Sequence, residues 1–134
     1  MRVYLCRHAE AATGEPDEAR ELTGRGHEQA RELAVLLAGE SPAPVVVVTS
    51  PLVRARQTAA YLGEVLDVPL LVDARLAPGA TLASFGQLVG ELDGGPVATV
   101  GHQPDCSEIV LALSGHDPGF PVGGMRVISL GVSE

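Results

Sequence analysis

Val45-Val46-Val47-Val48-Thr49-Ser50-Pro51-Leu52-Val53-Arg54-Ala55-Arg56-Gln57-Thr58 holds two structural periods back to back. Four successive valines have no polar side to show to water, which is the pattern of a strand buried on both faces of a parallel sheet. Ser50 then Pro51 reads as a helix N-cap followed by a first-turn proline, and Leu52, Ala55, Ala59, Leu62 and Leu66 continue along one helical face. A strand therefore turns almost directly into an amphipathic helix. The same unit recurs along the chain. Val3 to Cys6 is an apolar run ending at Arg7-His8, Val68 to Val72 and Val97 to Val100 are similar, the last ending at Gly101-His102, and Arg126 to Val132 reads as a final, less regular strand. Between them, Ala30, Leu33, Ala34 and Leu37 recur at helical spacing behind Thr23 as N-cap and before Gly39 as a stop. Thr81 to Leu92, interrupted by Gly86 and Gly90, and Ser107 to Leu113 give two more helices. Strands alternating with amphipathic helices predict an α/β domain, a three-layer arrangement with a largely parallel central sheet and helices on both faces.

The chain has 134 residues, the size of one domain, so residues 1–134 are read as a single unit with no separate lid or substrate domain. With two Phe, two Tyr and no Trp, the core must be built from Val, Leu and Ala. No apolar run approaches a membrane span, and the N-terminus lacks a basic stretch followed by a long apolar segment, which predicts a soluble, cytoplasmic protein. A net charge of -8 argues against nucleic acid or an anionic membrane as partner. No exposed apolar stripe stands out, so a monomer is expected. Cys6 and Cys106 are too few for a disulfide scaffold, though one bridge between them remains open. All nine basic residues are arginines, whose planar fork suits phosphate oxygens.

In open α/β sheets, ligands bind beyond the carboxyl ends of the strands. His8 follows the first strand, Ser50-Pro51 and Arg54 the second, and His102 the strand before Pro104. Three segments thus bring two imidazoles and, with Arg7, two guanidiniums to one edge. Arginine forks hold phosphoryl oxygens, and the first turn behind Ser50 adds free N–H groups and a positive dipole end. A neutral imidazole can attack phosphorus, and burial beside positive charge favours the neutral form. There is no Walker-type glycine-lysine motif, because the sequence contains no lysine. Cys6, His8, His102 and Cys106 could be imagined as zinc ligands, but Arg7 and Arg54 beside them would repel a cation, so no metal and no cofactor are expected. His27 and His116 lack such context and take no role, and Arg31 and Arg56 are read as solvated.

These residues resemble the histidine phosphatase superfamily, phosphoglycerate mutase-like in fold, and most closely its short, SixA-like phosphohistidine phosphatase branch. Arg7-His8-Ala9-Glu10-Ala11 resembles the family's arginine-histidine-glycine signature in an alanine form, and Leu22-Thr23 to Gly26 its leucine-threonine-glycine helix start. Ser50-Pro51-Leu52-Val53-Arg54-Ala55-Arg56-Gln57-Thr58 matches its second block at every fixed position, and Gly101-His102 resembles the late block with the second histidine. The blocks keep the family's order from residue 2 to about residue 110. The resemblance implies a hydrolase with His8 as phosphorylated nucleophile, Arg7 and Arg54 as phosphate clamps, and His102 as a second catalytic imidazole that also binds phosphate. Its substrate would be a phosphorylated small molecule or a phosphohistidine protein.

Two departures bear on chemistry. Ala9 stands where the family has glycine, and Arg75, in Ala74-Arg75-Leu76-Ala77-Pro78, stands where it usually places an acidic proton donor. An alkyl phosphate needs a proton for its departing oxygen, whereas phosphohistidine leaves through a ring nitrogen that can be protonated beforehand. The substitution therefore favours phosphohistidine over alkyl esters, with Glu10 and Asp73 as the candidate replacement donors. The alternatives are a catalytically weak phosphate-binding or regulatory module and a broad small-molecule phosphomonoesterase. A mutase is disfavoured, because so short a chain has little material to shield an intermediate from water. Specificity would lie in two long loops, Glu10 to Glu21 and Gly115 to Gly124.

Overall fold

A computed structural model describes residues 1–92, 95–117 and 119–130. Five strands, β1 (Arg2–Arg7), β2 (Val46–Thr49), β3 (Leu70–Val72), β4 (Val97–Gly101) and β5 (Met125–Ser129), form one sheet in the order β3-β2-β4-β1-β5. Four helices, α1 (Gly24–Ala38), α2 (Val53–Leu66), α3 (Leu82–Gly90) and α4 (Asp105–Ser114), link them, with short 3₁₀ turns at Asp17–Ala19 and Ala74–Leu76. All strand pairs are parallel except β1 with β5. This is the three-layer, largely parallel α/β sheet that the alternating pattern predicts.

Period-2 alternation in the central strands divides the core between the two sheet faces. Val3 and Leu5 of β1 pack with Phe85 and Leu88 of α3 and Ile109 of α4, while Tyr4 and Cys6 pack with Leu33 and Leu37 of α1 and Ala55 and Leu62 of α2. Small residues do much of the work on the second face. Ala34, Ala55 and Ala59 are fully buried, which lets α1 and α2 approach the sheet and each other closely without aromatic bulk. Cys6 and Cys106 are both free and buried, so no bridge joins them.

Three expectations need correction. β3 starts at Leu70 rather than Val68, and it lies at the sheet edge, where Leu70, Leu71 and Val72 are exposed rather than buried. Apolar runs on central and edge strands look alike in sequence, since neighbouring strands, not composition, decide burial. The last strand ends at Ser129, and residues 131 and 132 fall outside the described residues. Ser50 is not the N-cap of α2: Leu52 holds that place in extended conformation, and the helix begins at Val53. The Ser50 N–H continues the sheet by donating to the Val100 carbonyl, which commits Ser50 to the strand end and delays the helix.

The parallel register positions the site. Arg7 lies opposite Gly101 and Thr49 opposite Val100, so the next residues, His8, His102 and Ser50, leave three adjacent strands at one level. The His8 N–H donates to the Gly101 carbonyl and fixes that exit.

Candidate active site

His8 is buried at 7% exposure, and its two ring nitrogens face different partners. Nδ1 lies 2.7 Å from the carbonyl oxygen of Ala9, which can only accept, so Nδ1 carries the proton. Nε2 is then the acceptor, and the Arg54 Nε–H donates to it at 3.3 Å. The imidazole is thereby held as the neutral tautomer with its Nε2 lone pair beside a guanidinium. Burial, followed by the charges of Arg54, Arg7 and Arg20, pushes its pKa from 6.5 down to about 4, against an opposing pull from the Ala9 carbonyl.

His102 sits 5.2 Å from His8, centroid to centroid. Its Nε2 shares a hydrogen bond of 2.7 Å with the Ser50 hydroxyl, and its Nδ1 is buried with no hydrogen-bond partner among the described residues. Burial and the nearby His8 and Arg54 push its pKa down to about 3. Arg7 donates from Nη1 to the Phe120 carbonyl at 2.8 Å, while its Nε is also buried without a partner. Arg54, on the first turn of α2, is 6% exposed. Its Nη1 donates to the Asp17 carbonyl at 2.9 Å and its Nη2 to the Asp17 carboxylate at 3.2 Å.

Arg7, His8, Arg54, His102 and Glu10 line one open cavity of about 350 Å³, together with Asp17 and Arg20. The four residues read from strand ends thus converge. Glu10 reaches the cavity too, with its Oε1 accepting from the Thr23 hydroxyl at 2.7 Å. Asp73 does not: its carboxylate accepts from the Arg75 backbone N–H, Nε and Nη2, and it lies outside the cavity wall. The Arg75 side-chain hydrogen bonds, its backbone N–H and its charge hold the Asp73 carboxyl below its ordinary range, and Arg75 also pairs with Glu91. An ionised carboxylate that already accepts three hydrogen bonds is a poor proton donor.

The supporting residues explain the rest of the second block. Thr58 lies one turn beyond Arg54, donates its hydroxyl to the Arg54 carbonyl and accepts the Ala9 N–H at 3.0 Å, so α2 fixes the loop behind His8. The Gln57 Oε1 accepts from the Leu22 N–H and its Nε2 donates to Glu21, tying down the end of the first long loop. The Thr23 hydroxyl accepts the Gly26 N–H as the expected N-cap. A Cβ on Gly26 would stand 2.0 Å from the Glu10 carbonyl oxygen, so glycine there lets α1 pack against the site loop. Asp105, buried at the start of α4, accepts the Gly79 and Ala80 N–H groups and anchors the loop after β3 beside His102. The second long loop closes the other side, where Arg7 N–H donates to Gly124 and Gly123 N–H to His8.

Ser50, Asp17, Arg20, Thr58 and Asp105 were not singled out from sequence as site residues. For Thr58 and Ser50 the signal was present in the second block; for Asp17 and Arg20, on an exposed loop, no periodicity marks them. His27 pairs with the Tyr61 hydroxyl at 2.6 Å, and Arg31 lies over the Tyr61 ring, both away from the cavity. Among the described residues no group of His, Cys, Asp and Glu is placed to hold a metal ion, and no helix is long and apolar enough to cross a membrane.

The sequence pattern of the histidine phosphatase superfamily, branch 1, matches residues 3–78. The chain belongs to that superfamily. An uncharacterised protein of Mycobacterium tuberculosis is 33% identical to this superfamily member over 91% of the chain and 85% of the relative. The phosphohistidine phosphatase SixA of Escherichia coli is 36% identical over 70 residues, 52% of this chain and 44% of SixA. Among solved structures, the protein histidine phosphatase SixA complexed with tungstate superposes with a TM-score of 0.88 at 28% identity, covering 97% of this chain and 88% of that one. The fold and family together make this chain a phosphatase of the SixA-like type.

Proposed function

We propose that the chain hydrolyses phosphohistidine, or a small phosphate monoester with a good leaving group, through a covalent phosphohistidine on His8. The observation that carries this reading is the ring orientation of His8, with Nδ1 protonated on the Ala9 carbonyl and Nε2 left unprotonated, its lone pair accepting a long hydrogen bond from Arg54 Nε that a phosphoryl group drawing Arg54 to its oxygens would release. A pKa near 4 keeps that nitrogen unprotonated at neutral pH.

In the first step Nε2 attacks phosphorus in line, the bond from phosphorus to the leaving group breaks, and the leaving atom takes the bonding pair. Arg7 and Arg54 stabilise the phosphoryl oxygens, and the unpartnered Arg7 Nε and the His102 ring offer further contacts to them. Phospho-His8 is held planar and oriented by the Nδ1–Ala9 bond. In the second step water attacks phosphorus and passes a proton to a phosphoryl oxygen, the P–N bond breaks with its electron pair returning to Nε2 of His8, and inorganic phosphate leaves. A phosphohistidine ring whose other nitrogen is already protonated leaves as neutral imidazole; an alkoxide would need an acid. Glu10 is the candidate donor that lines the cavity, while Asp73 is bound to Arg75 elsewhere. SixA, which shares the fold over nearly the whole chain, is by name a phosphohistidine phosphatase, and this supports the same substrate class here. On this reading residues 1–134 act as one domain, a cytoplasmic monomer that needs no cofactor.

The test is rapid acid-free quenching after brief exposure to ³²P-phosphohistidine. Label is expected on His8, labile to acid and stable to alkali, and His8→Ala is expected to abolish both label and turnover. Label on a serine or cysteine, or retained turnover in His8→Ala, overturns the assignment.

A further inference from the structure

The Arg54 fork in the cavity is already occupied by part of the same chain. Asp17 lies on the exposed first loop, yet it accepts from both terminal nitrogens of Arg54, through its carbonyl at 2.9 Å and its Oδ2 at 3.2 Å. Its other carboxylate oxygen accepts from Arg20 Nη1 at 3.0 Å. One carboxylate thus bridges two guanidiniums, one from α2 and one from the loop, at the mouth of the cavity that holds His8. Two anions cannot share the Arg54 fork at this range: a phosphoryl dianion on Arg54 and an ionised Asp17 repel each other strongly in a partly buried site.

We propose that Asp17 is a resident anion that holds the place of phosphoryl oxygens, and that its displacement by substrate hands Arg54 and Arg20 together to the phosphate. This deepens the phosphatase reading and rests on it. Arg20 then becomes a third phosphate-binding arginine beside Arg7 and Arg54. Its present geometry supports the role. The Arg20 Nε donates to the Ala12 carbonyl at 2.8 Å, which aims the guanidinium from the loop base while Nη1 meets the carboxylate. Its charge is close enough to help depress the His8 pKa, and that of Asp17 acts in the opposite sense on His102, so both charges are felt at the reacting groups.

The loop is built to let go. Residues 12 to 19 are all exposed, and the loop base is secured by the Ala11–Leu22 bridge and the Ala12 N–H donating to Glu21. Across the tip, the contacts to the site are those of Asp17. Exchanging one anion for another conserves the ion pairs of both arginines, so binding exposes no unpaired guanidinium. In the free protein Arg54 keeps its orientation toward His8 instead of collapsing into solvent.

An internal competitor lowers apparent affinity by the fraction of time it is docked. If Asp17 is docked about nine-tenths of the time, Asp17→Ala should tighten the Kd for inorganic phosphate about tenfold. Asp17→Asn, which removes the charge and keeps the size, should do so in the same direction. In the Asp17→Ala background, Arg20→Gln should weaken phosphate binding about threefold or more, since Arg20 would then be a direct ligand. Calorimetric titration of the whole chain with inorganic phosphate reads all three without relying on turnover, and circular dichroism confirms that each variant is folded. Equal phosphate affinity in wild type and Asp17→Ala refutes the exchange while leaving the phosphatase reading intact. A silent Arg20→Gln in the Asp17→Ala background refutes the part assigned to Arg20. Absence of phosphate binding in every form refutes the anion cavity, and both readings with it. Tighter binding in Asp17→Ala combined with full turnover in His8→Ala would uphold the exchange and overturn the nucleophile.

Discussion

Lowering the pH from 7 to 5 loads protons onto the imidazoles of the unfolded chain while His8 in the folded protein stays neutral. The unfolded value is 6.5 and the folded value about 4, so the unfolded state binds more protons throughout this window and stability falls as the pH falls. The contribution is nearly absent at pH 7, grows below 6.5, and levels off once the pH passes below about 4 and the folded ring is protonated too. Integrated between pH 7 and pH 5, His8 alone costs about 2 kcal/mol. His102, pushed down to about 3, adds a comparable loss, although part of its shift is caused by His8, so the pair together costs at most about 4 kcal/mol. That is a large fraction of the stability of an ordinary domain. The carboxylates Asp17, Asp73 and Glu91 do not blur the window. Arginine partners hold all three below their ordinary values of 3.8 and 4.5, so their stabilisation is lost only at lower pH. The assay is urea unfolding of wild type and His8→Gln at pH 7 and at pH 5. Wild type should lose about 2 kcal/mol more than His8→Gln between the two conditions. If the two proteins lose stability equally, His8 is not buried in the neutral form and the argument for an unprotonated Nε2 fails.

Two further outcomes follow from the same geometry. Gly26→Ala should destabilise by about 3 kcal/mol and disturb Glu10, because its Cβ would meet the Glu10 carbonyl at 2.0 Å, whereas Gly86→Ala in α3, with nothing within 4 Å, should gain up to about 1 kcal/mol; thermal unfolding of both variants checks the contrast. Glu10→Gln should leave phosphohistidine turnover within a few-fold of wild type and reduce alkyl ester turnover by about 100-fold if Glu10 is the proton donor, with Arg75→Ala silent on both; parallel rate measurements on phosphohistidine and phosphoserine decide it.

The fold was legible because a parallel sheet buried on both faces leaves a plain record: Val45 to Val48 carry no polar side chain and Val97 to Val100 only that of Thr99, and a turn into a helix follows each run within a few residues. The same record misleads at an edge. Leu70, Leu71 and Val72 are as apolar as the central runs and yet exposed, because burial of a strand depends on what lies beside it in space. Arg7, His8, Arg54 and His102 were legible as one set because Arg7 closes a strand and the other three come soon after strand ends, and parallel register brings strand ends together. Ser50 reads as a cap in the sequence because a serine before a proline suits a helix start equally well whether its oxygen accepts an N–H two residues later or turns to a neighbouring imidazole. Here it does both, accepting from Leu52 N–H and meeting His102.

Asp17 shows where such reading ends. A surface loop is constrained neither by a period nor by a core, so nothing in Glu15-Pro16-Asp17-Glu18 separates the one acidic residue that reaches Arg54 from its neighbours. The separation is made by the 3₁₀ turn at Asp17–Ala19, which fixes the carbonyl and carboxylate of one residue toward the same guanidinium. The cavity also has to keep its cationic ligands oriented in a chain of net charge -8, where loop carboxylates outnumber the arginines near it. A buried arginine without an anion would seek one or turn to water, and either would move it off His8. An exposed carboxylate on a loosely held loop meets that need at small cost, since a pair reaching solvent is weak and readily exchanged. The residue that blocks the phosphate position and the residue that preserves its geometry are therefore the same one.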